Sequence, residues 1–134
     1  MITETELLAM SADDYMNDDQ LAFFENVLAQ LRSTTQEHID EARQRIANPP
    51  EFNDEADRAQ YEEDAAIALR IVDRERKLLP KIDQALRRII SKDYGYCEET
   101  GEAIGLQRLL LRPTAEYCAE VKTLHEQRER FYAN

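Results

Sequence analysis

Apolar side chains recur every three or four residues along two long stretches of the chain, which is the spacing of one face of an α-helix. The first stretch runs from Asp18 to Ala47, with Asn17 or Asp18 as the N-terminal cap, and the second begins at an Asn53 cap and continues to about Ser91. The repeated positions are Leu21, Phe24, Leu28, Leu31, Thr35, His38 and Ala42, flanked by Val27, Ile39 and Ile46, and then Ala65, Ala68, Val72, Leu79, Ile82, Leu86 and Ile89. This pattern predicts two long helices that pair along a coiled-coil seam.

The sequence between the two stretches predicts a tight reversal of the chain. Pro49 and Pro50 end the first helix, because proline lacks an amide donor and disfavours helical geometry in the residue before it. Two long helices joined by a short acidic connection make an antiparallel hairpin, and small residues near the connection allow the arms to approach closely. Pro80 lies inside the second arm, where we expect a kink; the alternative is a proline tolerated on the helix surface.

The rest of the chain predicts a small globular base. Residues 92–112 combine glycine turns with short apolar runs, which favours a two-stranded knuckle over a helix, and Thr114 is predicted to cap a final helix that ends near Phe131. A short helix is expected from Thr3 to Met10. The predicted fold is therefore dominated by α-helix: an N-terminal segment of the base (1–17), a coiled-coil hairpin (18–91) with its tip at about 48–59, and a degenerate zinc-finger knuckle with a C-terminal helix (92–134).

The net charge of the chain limits the kinds of molecule that it is expected to bind. The 134 residues include 28 Asp and Glu against 17 Lys and Arg, a formal net charge of -11, so a protein that coats the phosphates of duplex DNA is not expected. The chain is too periodic for a disordered protein and too polar for a membrane span. Its start carries no basic residue ahead of a short apolar run, so we expect neither a secretory signal nor a transit peptide, and we expect the protein to be cytoplasmic.

The two cysteines stand in the frame of a zinc knuckle. Cys97-Glu-Glu-Thr100 and Cys118-Ala-Glu-Val121 have the spacing of a four-cysteine site in which Thr100 and Val121 replace the second and fourth ligands. No zinc is expected, because threonine is a poor ligand and valine is none. His125 as a third ligand is disfavoured against an ordinary surface or packing histidine. Burial of large side chains would then replace the stabilisation by metal, with these candidates: Ile104, Leu106, Leu109, Leu111 and Tyr117.

Four motifs together resemble the DksA family of bacterial transcription factors, within the wider DksA/TraR group. They are YMN (Tyr15 to Asn17), DRERKL (Asp73 to Leu78), YGYC (Tyr94 to Cys97) and RPTAEYC (Arg112 to Cys118), and the resemblance covers residues 13–130. Within the family, the replacement of two zinc cysteines resembles the zinc-independent paralogue.

The resemblance implies a regulator that binds RNA polymerase and does not bind DNA. Family members insert the hairpin into the secondary channel, and their tip pattern Asp-x-x-Asp-x-Ala matches Asp54, Asp57 and Ala59 here. The implied function is modulation of promoter open complexes together with ppGpp, including repression of rRNA promoters in the stringent response, by a cytoplasmic monomer without a cofactor. The alternative role for the two aspartates is capping of the helix dipole.

The resemblance also implies a ppGpp site and a surface that contacts polymerase. The family's ppGpp-binding residues match Leu78, Lys81, Arg112 and Lys122, and the basic residues Arg70, Arg74 and Lys77 are expected to steer or contact polymerase. For any single cation, the alternative is a solvated surface charge.

Two other functions are compatible with an acidic helical hairpin. A transcript-cleavage factor uses carboxylates to hold a metal ion at the polymerase centre, and a coiled-coil adaptor has no role at polymerase. The sequence contains no nucleophile triad and no phosphate-binding loop, so we do not expect a self-sufficient enzyme.

Overall fold

The computed structural model describes residues 1–47, 49 and 51–132, and this part of the chain is helical with no β-strand. Its helices are α1 (Glu4–Ala9), α2 (Asp18–Ala47), α3 (Glu55–Ser91), α4 (Leu106–Leu111) and α5 (Ala119–Tyr132), with a 3₁₀ turn at Ala12–Asp14. None of these helices is both long and apolar enough to cross a membrane. The chain divides into two units: a hairpin unit, Ala29–Lys81, and a base unit formed by Met1–Leu28 and Ile82–Asn134.

The predicted bounds of α2 are confirmed, and its N-cap is Asn17. The Asn17 side chain accepts a hydrogen bond from the backbone N–H of Gln20 at 2.9 Å, and its carbonyl accepts one from Leu21 at 2.9 Å. This pairing satisfies backbone donors that have no partner inside the first turn. The helix ends at Ala47, and Asn48 and Pro50 of the predicted proline break lie outside the described residues.

The predicted cap of α3 is off by one residue, because Asp54 and not Asn53 caps the helix, which begins at Glu55. Asp54 Oδ1 accepts a hydrogen bond from the Asp57 N–H at 2.8 Å. The helix then continues through Pro80 to Ser91, the predicted end. It stops where Lys92 takes a left-handed φ of 64° and the N–H groups of Asp93 and Tyr94 turn back to the Arg88 carbonyl.

The hairpin unit has a narrow core between its two arms. Ile46 and Leu79 pack beside this core. The core itself consists of four buried residues from α2 and α3: Ile39, Ala42, Ala68 and Val72. His38 was predicted in this seam, and that prediction is wrong: its side chain is half exposed and contacts Glu75 at 3.4 Å. Ile39, predicted as a flanking position, takes the buried place, so the seam is shifted by one residue at this turn.

The base unit is organised around two aromatic rings, Phe24 and Tyr94, with centroids 5.5 Å apart and exposed fractions of 0% and 1%. Tyr15 ties two loops together: its hydroxyl donates to the Gly95 carbonyl at 2.6 Å and accepts from the Gly105 N–H at 2.9 Å. The Tyr94 hydroxyl donates to the Pro113 carbonyl at 2.8 Å. Long-range hydrogen bonds from side chain to backbone thus fix the loops of this unit.

The sequence predictions for the base need three corrections. A two-stranded knuckle was predicted, but the backbone forms only a single antiparallel bridge, between Tyr96 and Ala103, and residues 106–111 form α4. The final helix begins at Ala119 and not after Thr114. Leu111, predicted as a core residue, is 85% exposed. The short N-terminal helix is confirmed, with Thr3 as its cap.

Gly95 occupies a position that is restricted in both conformation and space. Its φ is +91°, and a Cβ at this position would lie 2.7 Å from Cγ of Met16. Such an approach is shorter than van der Waals contact, so the Met16 side chain packs directly onto the glycine backbone.

Candidate functional site: the tip, the arm and the degenerate knuckle

The start of α3 carries the three predicted tip residues, and all three side chains are exposed. Asp54 caps the helix, and Asp57 lies in its acidic first turn together with Glu55. The cap uses one carboxylate oxygen of Asp54. Helix capping and presentation of a negative charge are therefore compatible roles for this residue.

The three predicted arm cations lie on exposed positions of α3, spaced by four and three residues. This spacing places Arg70, Arg74 and Lys77 on one side of the helix. Lys77 pairs with Asp73 at 3.1 Å, where both side chains are largely exposed. Arg74 borders a groove of about 860 Å³ between the arms, which Glu75 and His38 also line.

The four residues predicted for ppGpp lie on three elements. On α3, Leu78 is half-buried and Lys81 is exposed directly after the exposed Pro80. Arg112 is the exposed C-cap of α4, where its N–H bonds to the Arg108 carbonyl at 2.7 Å. Lys122 is half-buried in the first turn of α5. Leu78 and Lys81 belong to the hairpin unit, and Arg112 and Lys122 to the base unit.

The four knuckle positions differ in exposure and chemistry. Cys97 and Val121 are buried, Cys118 is half-buried and Thr100 is exposed, and both cysteines are free thiols. Among residues 1–47, 49 and 51–132, no group of three or more His, Cys, Asp or Glu side chains is arranged to hold a metal ion. Tetrahedral structural zinc requires four donors, so the residues present do not fit it.

The groups around the Cys97 thiol nevertheless stabilise its ionised form. Burial raises its pKa, but hydrogen bonds from the Thr100 hydroxyl and from the backbone N–H groups of Cys118, Thr100 and Glu99 outweigh burial and lower the pKa from 9.0 to about 6. The polar groups of the knuckle thus converge on one sulfur.

His125 contacts a carboxylate and an aromatic ring. Its Nε2 lies 3.3 Å from Glu99 Oε1, and its ring meets Tyr117 edge-on with centroids 4.8 Å apart. These contacts agree with the packing role considered for His125. They join α5 to the loop that carries Thr100.

Two residues near the tip were missed by the sequence analysis. Phe52 and Tyr61 pack ring against ring, with centroids 5.2 Å apart, on either side of Asp54 in the sequence. The sequence signal that could have indicated this contact is the pair of aromatic residues on either side of an otherwise polar segment.

Comparison with known proteins identifies the family. Residues 20–89 match the profile of the DnaK suppressor protein DksA, N-terminal domain, and residues 92–127 match the prokaryotic dksA/traR C4-type zinc finger. The second profile describes four cysteines, and this chain supplies two.

Relatives match over nearly the whole length. The RNA polymerase-binding transcription factor DksA of Caulobacter vibrioides is 42% identical over 98% of this chain and 94% of its own length. The factor of the same name from Escherichia coli is 41% identical over 88% of this chain and 79% of its own length. The structure of transcription factor DksA2 from Pseudomonas aeruginosa is similar, with a TM-score of 0.78, 48% identity and coverage of 96% and 99% of the two chains. On these matches, the chain belongs to the DksA family.

Proposed function

We propose that this protein is a non-catalytic regulator that binds RNA polymerase through the secondary channel and does not bind DNA. The observation that carries the proposal is the pair of exposed aspartates at the start of α3, Asp54 and Asp57, beside the connection between the two arms of a helical hairpin. Relatives over nearly the whole length are named RNA polymerase-binding transcription factors. The protein would act as a cytoplasmic monomer.

The chemistry of the aspartates explains how a regulator acts without catalysis. Two unit charges roughly 4 Å apart interact by about 1 kcal/mol in water and about 4 kcal/mol at the lower effective dielectric near a protein surface. Carboxylates brought close to the basic surroundings of the polymerase centre would therefore change the stability of an open complex by a biologically useful amount. Exposed Arg70, Arg74 and Lys77 would contact polymerase along the arm.

The test of the tip separates its charge from its role as a cap. Asp54→Ser keeps a good N-cap side chain and removes the charge. We expect Asp54→Ser and Asp57→Asn to fold and to bind polymerase normally but to lose regulation of an rRNA promoter, measured as the lifetime of the open complex. Asp64→Asn, an exposed carboxylate farther along the same helix, is the control and should keep activity.

Four outcomes would contradict the proposal. If Asp54→Ser regulates normally, the essential role of Asp54 is helix capping. If both variants unfold the hairpin, the aspartates are structural. RNA cleavage by the wild-type protein in backtracked complexes would instead support the transcript-cleavage factor, and a mobility shift with promoter DNA alone would refute the absence of DNA binding.

We further propose that ppGpp acts with this protein at polymerase through Leu78, Lys81, Arg112 and Lys122. Hydrogen bonds to charged groups contribute about 1.5 to 3 kcal/mol each, which suits recognition of a multiply charged nucleotide by three cations. Lys122→Ala should leave regulation without ppGpp intact and abolish the added effect of ppGpp. Arg128→Ala, an exposed cation on the same helix, is the matched control. An unchanged ppGpp effect in Lys122→Ala and Lys81→Ala would contradict this assignment.

We also propose that the base works without zinc. The donor set supports this, since Thr100 and Val121 occupy two of the four ligand positions. Chelator treatment of the purified protein should change neither its unfolding midpoint nor its transcriptional effect. Zinc at one ion per chain in elemental analysis would contradict the proposal.

A further inference from the structure

Residues 53–60, at the start of the second arm, lack the apolar packing that holds the rest of the hairpin. Every residue from 53 to 60 is exposed, and Tyr61 is the first residue of α3 that is partly buried. The first turn and a half of α3, which carries Asp57 and Ala59, therefore receives no support from buried side chains of its own. Whatever fixes the direction of the aspartates must act from its flanks.

Tyr61 joins the two arms at this level. Its hydroxyl donates a hydrogen bond to the Ile46 carbonyl oxygen at 3.1 Å. Ile46 lies in the last turn of α2, where carbonyl groups lack partners within the helix. The phenol thus satisfies a backbone acceptor at the end of one arm from the second turn of the other.

The Tyr61 ring also supports the connection between the arms. Its centroid lies 5.2 Å from that of Phe52, at an interplanar angle of 50°, and both residues are half-buried. Phe52 is two residues before Asp54, so this contact holds the backbone from which Asp54 caps α3. Paired aromatic rings contribute about 0.5 to 1.5 kcal/mol beyond the area that they bury.

The position of Tyr61 along α3 relates it directly to the aspartates. Asp57 is four residues before Tyr61, so the two side chains lie one above the other on the helix surface. Asp54 lies just before the helix as its N-cap, and its Oδ1 accepts the hydrogen bond from the Asp57 N–H. A restraint on Tyr61 therefore fixes the helix face from which Asp57 projects and, through the cap, the position of Asp54.

We propose that Tyr61 is a positioning residue: its hydrogen bond to Ile46 and its ring contact with Phe52 fix the direction of the Asp54 and Asp57 carboxylates. This inference rests on the proposed function of those aspartates. It assigns to Tyr61 no contact with polymerase, because the hydroxyl is used inside the hairpin.

The first test measures the restraint without polymerase. Tyr61→Phe removes only the hydroxyl, and Phe52→Leu removes only the partner ring. Both should speed hydrogen exchange at the N–H groups of Asp57 and Arg58, which bond to Asp54, by about threefold to tenfold, the factor that corresponds to one hydrogen bond or ring contact. Exchange at Val72, in the hairpin core, should not change. Unaltered exchange at Asp57 and Arg58 in both variants would overturn the inference.

The second test measures the consequence for regulation. Tyr61→Phe should bind polymerase as tightly as the wild type, in a competition assay, and should shorten open complexes about threefold to tenfold less effectively. Tyr132→Phe, which changes an 81% exposed tyrosine on α5, is the control and should match the wild type in both assays. A Tyr61→Phe protein with weakened binding would overturn the inference, since Tyr61 would then be a contact residue.

The design distinguishes this inference from the function on which it rests. If Asp57→Asn regulates normally, the proposed role of the tip fails, whatever Tyr61 does to hydrogen exchange. If Asp57→Asn is inactive and Tyr61→Phe is fully active with unaltered exchange, the tip role stands and the positioning role of Tyr61 is refuted.

Discussion

The hairpin unit and the base unit are stabilised by different kinds of contact. The hairpin core consists of aliphatic side chains, such as Ile39 and Val72, that repeat along two helices. The base buries a larger set of apolar side chains, such as Leu28 and Leu109, and adds tyrosine hydroxyl groups that reach across long sequence separations, such as that of Tyr15. The difference teaches that periodic packing between two helices holds the hairpin, whereas the base combines a larger buried core with long-range hydrogen bonds that fix its loops.

The largest effect is expected from Phe24→Ala in the base. Phe24 is fully buried against Tyr94, and truncation of such a ring costs about 3 to 5 kcal/mol. Chemical denaturation should show this loss in the free energy of unfolding. Phe23→Ala, which truncates a half-buried neighbour, is the control and should cost less. Equal losses would show that the full burial of Phe24 adds nothing beyond the contribution of a half-buried ring.

A smaller loss is expected from Ile39→Ala in the hairpin. Truncation of a buried isoleucine costs roughly 2 to 5 kcal/mol, and we expect the lower end because the alanine and aliphatic side chains in its cluster let the two helices close toward the cavity. Ile67→Ala, at a position that is 46% exposed, should cost less than 1 kcal/mol, as is usual for surface positions. A cost for Ile39→Ala above that of Phe24→Ala would reverse the comparison.

Tyr15→Phe tests the hydrogen bonds that tie the loops of the base together, without removing the aromatic ring. The change keeps the ring and removes a hydroxyl that makes two hydrogen bonds, to the Gly95 carbonyl and from the Gly105 N–H. We expect a loss of about 1 to 3 kcal/mol in unfolding free energy, because both partners are left without it. Hydrogen exchange at Gly105 should accelerate in parallel. Unchanged exchange at Gly105 would show that the Tyr15 hydroxyl does not restrain the loop that contains this glycine.

The smallest effect is expected at Thr100, and it depends on pH. The Cys97 pKa is lowered to about 6 in the folded protein from an ordinary value of 9.0. The thiolate therefore adds stability that is full above about pH 9, declines as the pH falls and is lost below about pH 6. Thr100→Val should raise the pKa and shrink this contribution, whereas Thr100→Ser should preserve it. Ultraviolet absorbance of the thiolate during a pH titration checks the prediction, and identical titrations of the two variants would contradict it.

The two units also differ in how far their sequences predict their structures. Hydrophobic spacing predicts the two long helices, because apolar residues that repeat over many turns form a buried face. The bounds of α2 follow from local signals, the Asn17 cap and the proline pair after Asn48. The exceptions are local. Asp54 replaces Asn53 as the cap, and Ile39 replaces His38 in the seam, since either neighbour satisfies the same short pattern.

The base was less predictable because its contacts are not periodic. The run Leu109 to Leu111 is apolar throughout, so spacing alone cannot show that Leu109 is buried while Leu111 is exposed in a six-residue helix. The site shows the same limit. The aspartates were found through a motif, whereas the contact of Tyr61 with Ile46 joins residues from separate helices that no local pattern connects.

The packing of Met16 on Gly95 has a consequence for sequence variation. In a saturation library selected for folded protein, position 95 should return glycine alone, because any larger residue meets both an unfavourable backbone angle and the methionine side chain. Gly101 has a positive φ but open space around its Cβ position, so asparagine should survive there. The selection would therefore exclude residues at position 95 by both side-chain volume and backbone angle, and at position 101 by backbone angle alone.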